Sequence, residues 1–150
     1  MFYLEKPKDF IPKMHIVICY CTFLDELLFL RRKKEGFQGG LWTAPGGKRE
    51  KNENSEDAIL REILEETGLI ISQDTLKHIG QYYIRYPNFD FNIEIYKTSL
   101  SSKPKEIQLS ISEHDKYQWL TAQEALNLDL IPGAEDCLLT TFPDLNIAKI

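Results

Sequence analysis

No apolar run in this 150-residue chain approaches the roughly 18 residues that would announce a membrane-spanning helix. Cysteine is scarce: Cys19, Cys21 and Cys137 only. Three is an odd number for a disulfide framework, and the chain is not short, so reduced thiols in a reducing compartment are expected. Cys19 and Cys21 sit two apart in an apolar run, which is core-strand placement. No His or Cys partners cluster near them to make a metal site. Positive charge is in deficit, with 18 Lys and Arg against 23 Asp and Glu and a net charge of −5. That balance argues against bulk binding to nucleic acid or to an anionic membrane. The first residues carry Glu5, Lys6, Lys8 and Asp9 and lack the apolar core of a secretory leader, so a cytoplasmic location is expected. Internal repeats and low-complexity segments are also missing.

What remains is ordinary globular composition, 43% hydrophobic and 27% charged. At this length one domain over 1–150 is expected, burying roughly 68–70% of its unfolded surface. Residues 1–13 read as an irregular arm or a short edge strand, and the segment from 143 as a tail. The apolar run 15–21 is a buried strand, and a turn at Leu24-Asp25-Glu26 leads into a second strand over 27–30. His15 fits a satisfied structural histidine better than a ligand. Strands are expected over 76–86 and 91–100, joined by the turn Pro87-Asn88-Phe89-Asp90, and another ends at Trp119-Leu120. Thr121 and Glu124 form a capping box for a short helix, and 134–142 reads as a further helix. Tyr82, Tyr83, Tyr86, Phe89 and Phe91 gather around one turn, either as a packed hairpin end or as a pocket for a purine.

The stretch 47–69, GKREKNENSEDAILREILEETGL, carries the chemistry. Asn54 or Ser55 can cap a helix there, Glu56 and Asp57 suit its positive end, Ile59 and Ile63 give an apolar stripe with Leu60 and Leu64 beside them, and Gly68 stops it. Glu62, Glu65 and Glu66 then share one face at i, i+3 and i+4. Like charges at that spacing cost a few tenths of a kcal/mol per pair. Arg61 can pair with Glu65, and a hard divalent cation such as Mg²⁺, which favours carboxylate oxygens and substrate phosphates, would offset the rest. Just before the stretch, Pro45-Gly46-Gly47 reads as a turn whose bare backbone can approach a ligand. Trp42 either stacks on a base or covers the core. The basic run 31–34 either solubilises a strand end or faces phosphate.

Gly47, Glu53, Arg61, Glu62, Ile63, Glu65, Glu66, Gly68 and Leu69 reproduce the spacing of the Nudix box, and the chain resembles the Nudix hydrolase family over roughly 15–140. Within the family it is most similar to the MutT-like nucleoside triphosphate pyrophosphohydrolases. The resemblance implies an α/β (α+β) Nudix fold, a mixed β-sheet sandwiched between helices. It implies a Mg²⁺-dependent hydrolase, with Mn²⁺ as a substitute, whose metal ligands are Glu62, Glu65, Glu66 and the carbonyl of Gly46. Glu53 and Arg61 match a structural ion pair that orients the helix. Arg31, at the end of the second strand, matches a nucleotide contact, with Gly46, Gly47 and Trp42 the other candidate substrate residues. Glu62 matches the general base of the MutT branch. In other branches an acid from a loop outside the box serves, and Glu113, ahead of Asp115, is the candidate here.

The expected reaction is cleavage of a diphosphate linkage in a nucleoside diphosphate derivative, foremost a (d)NTP or oxidised (d)NTP to NMP and pyrophosphate. Alternatives are ADP-ribose, nucleotide sugars, dinucleoside polyphosphates, an isoprenoid diphosphate isomerase on the same fold, or a nucleotide-binding module without turnover. Ala44 and Ala134 depart from the pattern that reads oxidised guanine in the MutT branch. The expected partner is a small nucleotide, with no nucleic acid and no membrane, and many relatives of this kind form homodimers.

Overall fold

A computed structural model describes residues 1–145; the last part of the expected tail lies outside the described residues. In chain order the elements are β1 (Phe2–Tyr3), β2 (Pro12–Phe23), β3 (Glu26–Arg32), β4 (Trp42–Thr43), β5 (Gly46–Lys48), α1 (Ser55–Thr67), β6 (Lys77–Arg85), β7 (Asp90–Ser99), β8 (His114–Thr121), α2 (Ala122–Ala125) and α3 (Ala134–Thr141). The strands form one sheet in the order β1-β6-β7-β2-β3-β4, with β5 added beside β2 and β8 beside β3. β2 and β7 run parallel and the other pairs antiparallel, so the sheet is mixed.

Strand alternation divides the core into two layers. Val17, Cys19 and Cys21 of β2, with Leu28 and Leu30 of β3, pack against Ala58, Ile59 and Ile63 of α1. Ile18 and Tyr20 of β2, with Leu27 and Phe29 of β3, face the other way, toward Ala122, Ala125 and Leu126 and toward Cys137 and Leu138 of α3. Burial on both faces is why β2 and β3 read as near-continuous apolar runs. All three cysteines are free and buried.

The signals at the ends of α1 act as expected. The Asn54 side chain accepts from the Asp57 N–H at 2.8 Å, and Gly68 closes the helix in the left-handed region at φ 76°. Ser55 does not cap the helix, and its hydroxyl instead donates to Glu94 at 2.6 Å. Glu94 also takes His15 and His78, each at 2.8 Å, so His15 is a structural residue that helps tie strands to the start of α1. The apolar face of α1 is narrower than its sequence suggests, because Leu64 is exposed.

Within the N-terminal arm, residues 2–3 form the short edge strand that is one of its two readings, pairing Phe2 with Ile84 and Tyr3 with Tyr83 of β6. The structure departs from the sequence-based expectations at two places. Gly46 and Gly47 do not make a turn; they form β5 against Ile18 and Val17. Glycine is required there by proximity: a Cβ on Gly46 would stand 2.1 Å from the Val17 carbonyl oxygen, and one on Gly47 would stand 2.4 Å from the Glu62 carboxylate. The strand expected to end at Trp119-Leu120 runs over His114–Thr121, longer than its apolar end indicated, and its first residue lies opposite Arg32 of β3.

Candidate active site

Helix α1 meets β5 edge-on, and this contact builds the acidic wall of a cleft of about 550 Å³. Glu62, Glu66, Gly46 and Gly47 line it, together with Arg32, Glu113 and His114 from the adjoining ends of β3 and β8. The three box glutamates have different surroundings. The side chain of Glu66 is 7% exposed, Glu62 12% and Glu65 54%. Glu65 is not among the residues lining the cleft.

Arg61 binds Glu53 through two parallel bonds, Nε to Oε2 at 2.8 Å and Nη2 to Oε1 at 2.9 Å, and also donates to the Lys48 carbonyl. Its Nη1 lies 2.9 Å from Glu62 and 3.3 Å from Glu65. One guanidinium thus anchors α1 to the loop after β5 and offsets two of the three stacked charges. The paired guanidinium holds the Glu53 carboxyl down to about 2. Glu66 has no such partner; its Oε1 accepts the Gly46 N–H at 2.8 Å. Burial pushes the Glu66 carboxyl well above the usual range, against the pull of that N–H. Burial also raises Glu62, against the opposing pull of Arg61. A buried carboxylate aimed into a cleft, with no arginine bonded to it among the described residues, leaves a place for a cation. The donor set of carboxylates is hard oxygen, which fits Mg²⁺ or Mn²⁺.

Strand geometry decides between the two arginines ending β3. The register of β3 against β8 shifts between Arg31 and Arg32, and Arg32 is the one that enters the cleft. Arg31 closes on Asp115 through bonds of 2.8 and 3.0 Å. Arg31 is not among the residues lining the cleft. The same pairing engages Asp115 and leaves Glu113 as the loop acid that faces the cleft. Trp42 also lies outside: it packs half-buried on the α3-side core, while its backbone holds the 129–131 segment through Asp129 and Ile131.

One contributor went unread in the sequence. His114, 3% exposed, has its Nδ1 3.9 Å from Glu66 Oε2. Burial, and after it the charge of Arg32, lowers its pKa to about 4, so the ring is neutral. Part of the aromatic group seen in the sequence forms one end of the cleft. Tyr86, Phe89 and Phe91 line it, with ring centroids 4.9–5.9 Å apart, and Phe37 and Gln38 from the loop between β3 and β4 line the same cleft. The aromatic group seen in the sequence is split: Tyr82 packs on Phe2 and Tyr83 on Phe10. The turn composition around 87–90 was the only signal separating the two sets.

Comparisons with known proteins fit this arrangement. The NUDIX domain model matches residues 13–140. The uncharacterized Nudix hydrolase YvcI of Bacillus subtilis is 31% identical over 115 residues, 77% of this chain and 70% of its own. The CTP pyrophosphohydrolase of Escherichia coli is 28% identical over 124 residues, 83% of this chain and 87% of its own. Among solved structures, a MutT protein from Methanosarcina mazei superposes with a TM-score of 0.73 at 24% identity, covering 93% of this chain and 96% of that one. Glutamates at box spacing, glycines that let β5 touch them, and a mixed sheet between helices identify the chain as a member of the NUDIX domain family, a Nudix hydrolase.

Proposed function

We propose that the protein hydrolyses a nucleoside triphosphate, common or oxidised, to the monophosphate and pyrophosphate. The observation that carries this reading is the shared cleft: one concavity is lined both by Glu62, Glu66 and Glu113 and by Tyr86, Phe89 and Phe91. Carboxylates suit a metal–phosphate unit, and aromatic faces suit a base.

Glu66 and Glu113, with the Gly46 carbonyl, would hold Mg²⁺, with Mn²⁺ able to replace it. When bound, such an ion neutralises phosphate charge and lowers the pKa of a coordinated water. Glu62 accepts the proton from the attacking water, and its burial-raised pKa makes it a better base than an exposed glutamate. Arg61 fixes the rotamer of Glu62 through the 2.9 Å contact. Arg32 donates to phosphate oxygens. The aromatic wall stacks against the base and shields the reacting centre from bulk water. The water oxygen bonds to phosphorus as the bridging P–O bond breaks, and pyrophosphate leaves with that oxygen.

The test is phosphate release with Mg²⁺ and added inorganic pyrophosphatase. The panel is common and oxidised nucleoside triphosphates, ADP-ribose, nucleotide sugars and dinucleoside polyphosphates, with phosphatase for those that yield monophosphates. Selective turnover of a triphosphate, lost in Glu66→Gln, supports the reading. Turnover confined to ADP-ribose or another linked diphosphate replaces the substrate. A folded protein that turns over nothing on the panel refutes it.

A further inference from the structure

Among the described residues, Nδ1 of His114 is buried without a hydrogen-bond partner. An orphaned nitrogen in a 3% exposed side chain is costly unless something meets it. The nearest carboxylate oxygen, Glu66 Oε2, is 3.9 Å away, too far for a hydrogen bond. It is near enough for two donors on one ion, since ligands about 2.1 Å from a metal can stand up to about 4.2 Å apart. Glu113 completes the group: one ligand atom each from Glu66, Glu113 and His114 all lie within 4.8 Å of one another. Glu113 is exposed and can rotate inward, whereas Glu66 and His114 are fixed by burial.

We infer that His114 is a metal ligand, making with Glu66 and Glu113 a mixed nitrogen–oxygen seat that favours a divalent transition ion over Mg²⁺. This rests on the proposed metal-dependent reading of the same cleft and deepens it. An all-oxygen site suits Mg²⁺, while one neutral imidazole shifts preference toward the first-row ions from Mn²⁺ upward. The glycine beside this seat contributes an N–H to Glu66 Oε1, leaving Oε2 as the oxygen nearest the histidine.

The test uses the full chain and Mn²⁺ alone, without substrate. Pulsed electron paramagnetic resonance of bound Mn²⁺ should show coupling to an imidazole ¹⁴N. In protein labelled with ¹⁵N-histidine, the coupling should convert to that of ¹⁵N, a readout that needs no substitution. It should vanish in His114→Gln and persist in His78→Gln. His114→Gln should also lower the preference for Mn²⁺ over Mg²⁺, measured by competition, by about tenfold. Bound Mn²⁺ without nitrogen coupling, or coupling that survives His114→Gln, overturns the inference and leaves the proposed hydrolysis standing. Failure of Mn²⁺ to bind overturns both. Should His114→Gln misfold, the isotope result on the unaltered chain decides alone.

Discussion

Gly47→Ala is a methyl group aimed at a carboxylate. Its Cβ would lie 2.4 Å from both Cδ and Oε2 of Glu62 and 2.6 Å from Oε1. Ordinary contact begins near 3.4 Å, so the carboxylate must retreat by about 1 Å. The 2.9 Å contact with Arg61 is lost or stretched in that retreat. A displacement of that size in a reacting group can cost about 100-fold in rate. Stability should change little, because a side-chain end can yield. Gly46→Ala is the contrast. Its Cβ would meet backbone, 2.1 Å from the Val17 carbonyl oxygen and 2.8 Å from the Ile18 Cα. Backbone cannot yield without parting β5 from β2, so a cost of about 3 kcal/mol is expected. That corresponds to about 6–12 °C in Tm for a domain of this size. The assays are thermal melts and kcat on whichever substrate the panel identifies. Combining Gly47→Ala with Glu62→Gln completes the argument, because the glycine change should then cost almost nothing further. The reasoning fails if Gly47→Ala leaves kcat unchanged, if it melts as early as Gly46→Ala, or if its effect is undiminished beside Glu62→Gln.

Four other outcomes are expected. Arg32→Ala should raise KM at least about tenfold while Arg31→Ala changes it less than about twofold, and steady-state kinetics on the pair decides it. Ile63→Ala removes a fully buried side chain under α1 and should cost about 3 kcal/mol in chemical denaturation. Glu94 is held down to about 2, since hydrogen bonds from His15, Ser55 and His78 outweigh the opposing effect of burial. A depressed carboxyl contributes stability above its unfolded pKa, so Glu94→Gln should destabilise at pH 7 and the gap from the unaltered chain should narrow as pH falls from about 4.5 toward 2, read by urea titrations across that range. Arg61→Lys keeps the charge but not the two-pronged grip on Glu53, so kcat should fall at least about tenfold with a smaller loss of stability.

The helix and its three glutamates were legible because spacing alone puts them on one face, and the capping signals at Asn54 and Gly68 are local. The fate of each glutamate was not. Burial of Glu66 and exposure of Glu65 depend on where β5 crosses the helix, which is a tertiary fact. The arginine at the end of β3 could not be placed by alternation: Phe29 also lines the cleft and leads to Arg31, as the family match did, whereas a register shift between the two arginines brings in Arg32. His114 carried a weaker signal. It lies in a polar segment with no apolar pattern, and only pairing with β3 buries it opposite Arg32. The aromatic wall needed the turn at 87–90 to fold before Tyr86, Phe89 and Phe91 could be told from Tyr82 and Tyr83.

The thiols fall on the two sides of the sheet. Cys19 and Cys21 lie under α1, and Cys137 lies on the buried side of α3. Each is fully screened in the folded state, so an alkylating reagent can reach it only when its own layer opens. The chain thereby carries a built-in pair of clocks. Equal modification rates at the two positions would mean that the layers separate in one event. A faster rate at Cys137 would mean that the cleft wall breathes while helix α1 stays seated, a distinction that a melting curve, which averages the whole molecule, does not record.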